Sequence, residues 1–135
     1  MLPLPRNRDV VVIDNGDGTI TDLKTGLMWE QRHSGSTYTW EEAVNAVAES
    51  RFAGYSDWRL PVMWELITIV DYSRSGPAID PIFKAVADNY WSATTYAPNP
   101  DVAWQVNFNI GLVDFDDKNF TRYVRAVRTG SKEKP

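Results

Sequence analysis

The side chains best suited to chemistry gather in the last third of the chain. Tyr96, Asn99, Asp101, Gln105, Asn107, Asn109, Asp114 and Lys118 supply a ring, amides, carboxylates and an ammonium group. Such groups stack on the apolar faces of sugars and bond their hydroxyls, so together they outline a binding surface. The competing reading is that Asn and Asp make turns, and that alternate polar residues face solvent from a strand. Residue by residue that plainer reading is the stronger, and only the surface as a whole argues for recognition. Asp114, Asp116 and Asp117 also form an oxygen-rich run of the kind that binds calcium, although they sit at a turn. No catalytic residue emerges, because hydrolysis needs paired acids or a nucleophile with its base. His33 is the only histidine; it precedes a helix without a partner signature and reads as a surface loop residue. No enzyme and no cofactor are therefore expected.

A second constellation is Gly54-Tyr55-Ser56-Asp57-Trp58-Arg59-Leu60-Pro61-Val62-Met63-Trp64-Glu65. It is too aromatic for a solvated loop and too polar for a plain core strand. It reads as an ordered loop entering a helix, with rings buried and polar neighbours paired. Within it, Trp58 and Leu60 are expected inside and Arg59 held by an acid. Arg125 and Arg128 are read as structural too, bonding Asp57, Glu65 or backbone carbonyls, with Arg128 the freest of the three. Trp29, Trp58, Trp91 and Trp104 read as core.

These residues must be positioned by a chain of 135 residues, enough for one domain with a sizeable core. Net charge is −4, which argues against a dedicated nucleic-acid or anionic-membrane binder. No apolar run approaches the roughly 20 residues of a membrane helix, so membrane insertion is not expected. Cysteine is absent, which excludes a disulfide framework, a thiolate zinc site and a cysteine nucleophile. Met1–Arg6 does not read as a signal peptide; the chain is either cytoplasmic or a mature or excised piece of a longer exported one.

A leader is expected over 1–9, a single domain over 10–129 and a polar tail over 130–135. Val10–Ile13 reads as a strand, Asp14–Gly18 as a tight turn, and Thr19–Asp22 and Leu27–Trp29 as the next strands. An EF-hand reading of that turn fails, because position twelve would be Lys24. Thr39 and Glu42 form a capping box for a first helix ending near Ser50, with Trp40, Ala43, Val44 and Val47 on its core face. Met63, Leu66, Ile67 and Val70 predict a second helix over 63–71. Tyr90–Tyr96, the alternating Trp104-Val106-Phe108, Leu112–Phe115 and Tyr123–Val127 follow as strands. Helices and strands are segregated, so the fold class is α+β, two helices packed on antiparallel sheets.

Taken in order, several of these motifs resemble the DUF1566 family, the C-terminal domain type of the Legionella collagen-like adhesin. They are Thr25-Gly26-Leu27-Met28-Trp29, Thr39-Trp40, Gly54–Pro61, Glu65-Leu66, Ile79-Asp80-Pro81, Tyr90-Trp91-Ser92, Trp104 to Gly111, and Val124-Arg125 with Val127-Arg128. The resemblance implies a variant of the C-type lectin-like fold, related to formylglycine-generating enzymes, whose cysteine chemistry is excluded here. It implies recognition of a glycan or a cell-surface protein by an extracellular or cell-surface domain at the end of an adhesin or fibre. A trimer or other homo-oligomer is the alternative role, as an assembly module; an inactive relative of the modifying enzymes is another. The lectin calcium motif Glu-Pro-Asn is missing. Where the family carries two cysteines this chain has Val47 and Ala126, and where it has a capping Thr this chain has Val62.

Overall fold

The structure, a computed structural model, describes residues 11–130; the expected leader and nearly all of the expected tail lie outside them. Strands β1 (Val12–Asp14), β2 (Thr19–Asp22) and β3 (Leu27–Glu30) open the domain. Helix α1 (Trp40–Ala48) and helix α2 (Met63–Thr68) follow, and then β4 (Asn89–Thr95), β5 (Val102–Asn107), β6 (Leu112–Asp117) and β7 (Val127–Thr129). They form two antiparallel sheets, ordered β1-β2-β3-β7 and β4-β5-β6. The α+β expectation holds.

Local chemistry explains the first elements. In the β1–β2 turn, Asp14 accepts from the Gly16 N–H at 2.9 Å and Asp17 from the Thr19 N–H at 3.1 Å. Gly18 has φ of +89°, and a Cβ there would lie 2.6 Å from the Phe52 ring, so only glycine fits. In α1, Thr39 Oγ1 accepts from the Glu42 N–H at 3.3 Å and Glu42 accepts from the Thr39 N–H at 2.9 Å, the reciprocal box.

Helix α2 is shorter than the expected 63–71. The Ile69 and Val70 N–H groups bond three residues back, and the Asp71 N–H turns away to the Ala78 carbonyl. At its start Val62 offers no side-chain acceptor, and only half of a capping box exists: Glu65 Oε1 accepts from the Val62 N–H at 2.9 Å. The Met63 N–H, one residue earlier than a cap would serve, is satisfied from β4 by Thr94 Oγ1 at 2.9 Å. Val62→Thr supplies the missing acceptor and should raise stability by about 0.5–1 kcal/mol. Urea denaturation measures this, and a clear loss would mean that the helix does not begin there.

The expected strand 123–127 is also displaced. Residues 122–126 cross between the sheets, bridging Tyr38 through Arg122 and Tyr90 through Tyr123, and only Val127–Thr129 pair with β3. Covered on both sides, residues 124–128 are all buried. Consecutive β4 residues then serve two cores. Tyr90 packs with Ile20, Trp29, Leu66, Val106 and Phe108, whereas Trp91 packs with Ala43, Val47, Trp58, Leu60 and Ala126. The β4–β6 sheet thus has α2 on one face and α1 on the other. Val47 and Ala126 share the second core, so plain packing stands where the resemblance expects cysteines.

Candidate functional site

The Tyr96 ring is brought to the surface by the end of β4. Its N–H bonds the Val102 carbonyl at 2.8 Å, which closes the 97–101 loop, and Asn99 inside that loop accepts from the Asp101 N–H at 3.0 Å. Across β5 and β6, Trp104 lies opposite Phe115 in register. Tyr96 stacks on Phe115 with ring centroids 4.3 Å apart and planes at 10°, and Trp104 meets both edge-on at 5.2 and 5.4 Å. Phe115 is 43% exposed, and the other two rings are half-buried. Trp104 is therefore not the core residue its alternation predicts. It shares a face of β5 with buried Val106, but α2, whose first N–H bonds Thr94, runs from there towards the Gly111 end of the sheet, and Tyr96 and Phe115 pack on Trp104 instead. Sequence reasoning missed Trp104 and Phe115 as surface groups. The signal available was their place at the sheet end next to Pro98-Asn99-Pro100.

The other nominated residues do not join this platform. Gln105 is 3% exposed and accepts from Arg122 Nε at 2.9 Å, so it is an internal strut. Asn107 accepts from the Asn109 N–H at 2.8 Å, in the turn at the far end of β5. That end is about 17 Å from the Tyr96 loop at the strand's rise per residue, further than one sugar ring reaches. Lys118 lies on the opposite face. Its Nζ donates to Thr95 Oγ1 at 2.9 Å and sits 4.0 Å over the Trp40 ring, beside a groove of about 380 Å³.

The aspartates are explained by the sheet edge. The Lys118 N–H points inward to the Asp101 carbonyl, so by alternation the N–H groups of Asp117 and Phe115 point away from β5. Asp114 accepts from the Phe115 N–H and Asp116 from the Asp117 N–H, both at 2.8 Å. The carboxylates thereby occupy the donors that another strand would pair with. Asp116 also bonds Arg122, and Asp117 accepts from the Asn119 N–H. Among the described residues no three or more His, Asp or Glu are grouped to hold a metal ion.

The arginines fix the scaffold beneath. Arg59 forks onto Glu65 at 2.7 and 2.8 Å, and its backbone exchanges two hydrogen bonds with Val127. Arg128, expected to be the freest, is 1% exposed. Its Nε donates to Asp57 at 2.6 Å and its guanidinium lies 3.9 Å over the Tyr55 ring, because β7 pairs with β3 and turns this side chain inward. The Gly54–Glu65 stretch and residues 124–128 therefore lock to one another. His33 is half-buried against Tyr123, its Nδ1 accepting from the Gly35 N–H at 3.0 Å, and burial holds its pKa below the usual value.

The model of the Lcl C-terminal domain family matches residues 18–128, and the chain belongs to that family. No curated protein matches it. Among the described residues no helix is long and apolar enough to cross a membrane.

Proposed function

We propose that this Lcl C-terminal domain is a non-enzymatic, lectin-like recognition module that binds a glycan at the Tyr96–Trp104–Phe115 platform, displayed on a cell surface by an exported protein. The observation that carries this reading is the ring cluster itself. Three large aromatics gathered at a sheet end, one of them 43% exposed, offer apolar faces of the kind that sugar C–H groups stack on. Asn99 and Asp101, in the adjoining loop, add polar groups at the rim for hydroxyls. Asn107 and Asn109, at the other end of β5, have no part in the same contact.

A glycan array followed by calorimetry on the best hit tests this. Tyr96→Ala and Phe115→Ala should each weaken binding on the order of tenfold, the scale of one lost ring contact, with the circular dichroism spectrum unchanged. Asn107→Ala should leave affinity alone. A flat array, or equal affinity in all three variants, would sink the platform reading.

A further inference from the structure

A cavity of about 420 Å³ lies between α1 and the crossing segment 124–126, away from the ring platform. Its volume falls within the range of small-molecule sites. One wall is aliphatic and small: Ala43, Ala46 and Val47 of α1 with Ala126 opposite. The other carries a charge pair, Glu30 and Arg32, with Arg32 Nη2 3.5 Å from Glu30 Oε1.

Glu30 is an unusual member of a strand. All four residues of β3 are buried, and the Glu30 side chain is only 12% exposed. Its partner Arg32 is 59% exposed and reaches it at 3.5 Å, longer than the roughly 2.7–2.9 Å of a strong charge-assisted hydrogen bond, so the carboxylate keeps capacity for a closer donor. Burial pushes the Glu30 pKa up, more than Arg32 and Arg125 pull it down. Arg32 is held in place from behind, its guanidinium 4.1 Å from the centre of the Phe52 ring. Buried acids that carry such a cost without full partners concentrate at functional sites.

We infer that this cavity binds a small zwitterion with an aliphatic body, such as a free α-amino acid. Its ammonium meets Glu30, its carboxylate meets Arg32, and its side chain lies along Ala46 and Val47, the accessible part of the α1 wall. The α1 wall is aliphatic, the Tyr38 and His33 rings line other parts of the cavity, and the two charges sit side by side as the two ends of an amino acid do.

The test is thermal denaturation of the full chain with L-leucine, and separately with 3-methylbutylamine and 4-methylpentanoate, which keep the aliphatic body and lack one charge each. Leucine at about a hundredfold above its dissociation constant should raise the melting temperature by about 5 °C or more, and the single-charge analogues should raise it far less. Glu30→Gln and Arg32→Gln should both remove the leucine shift while keeping the native circular dichroism spectrum. No shift with leucine or any other aliphatic amino acid, a shift equally strong with either analogue, or a shift that survives in either variant would overturn the assignment.

Discussion

Replacing Arg125 by methionine should cost about 3 kcal/mol or more of folding stability, one of the largest single-site losses in this domain. The side chain is 1% exposed and donates to three carbonyls: Glu30 at 3.0 Å, Gln31 at 2.6 Å and Lys84 at 2.9 Å. Its guanidinium also lies between the Phe83 and Tyr90 rings, at 5.1 and 5.7 Å. Burial lowers its pKa to about 10, so it is still charged at neutral pH. Methionine keeps much of the volume and none of the donors. Each carbonyl left without a partner costs about 1–3 kcal/mol, although Gln31 keeps the Lys84 N–H as a second donor. Arg125→Lys should recover only part of the loss, because one ammonium cannot reproduce the geometry of a guanidinium fork. Urea denaturation of both variants measures this; a loss under 1 kcal/mol for the methionine variant would mean that the carbonyls find other partners.

Glu65→Ala should be the second severe change, costing about 2–4 kcal/mol at neutral pH. Glu65 is 5% exposed and satisfies three donors at once, both Arg59 terminal nitrogens and the Val62 N–H. Arg59 is 41% exposed on its side chain and can turn to water once released, which keeps the cost below that of a stranded buried charge. The effect should also depend on pH. Burial pushes the Glu65 pKa up, but the Arg59 fork and the Val62 N–H outweigh it and hold the carboxyl below its usual value. A carboxyl lowered on folding stabilises fully above its unfolded pKa of about 4.3 and progressively less as pH falls through the folded value. The gap between the parent protein and Glu65→Ala should therefore be widest near pH 7 and shrink on acidification. Asp71 is lowered likewise, its Ser73 and Arg74 contacts overcoming burial, and adds to the acid sensitivity of both proteins. Glu30, raised by burial, works the other way: its ionised form costs stability, and that cost is relieved as pH falls through its folded pKa. Denaturation curves at pH 7 and pH 3 test the sign. A gap that grows in acid would mean that Glu65 is not held as an ion.

The sequence by itself determined whatever depends on near neighbours. The Asp14–Gly18 hairpin, the Thr39–Glu42 box, the alternation on β5 and the Arg59–Glu65 pair all rest on groups a few residues apart. Backbone sterics and short-range hydrogen bonds decide such features almost alone. Tertiary structure decided the rest. Arg128 is buried because β7 pairs with β3, whose Met28 stands a hundred residues earlier. Trp104 is only half-buried because α2 begins beside Thr94 and runs towards Gly111, which leaves the Trp104 end of the sheet to Tyr96 and Phe115. The eight nominated binding residues divide among two faces and two ends of one sheet, since a strand's period places side chains on a face without saying what covers it. Glu30 was in plain view at the end of an apolar strand, yet the cavity it lines exists only where α1 and the 124–126 segment meet. Spacing along a chain fixes which way a side chain points, and the packing of distant segments fixes whether it points at solvent, at a core or at a ligand.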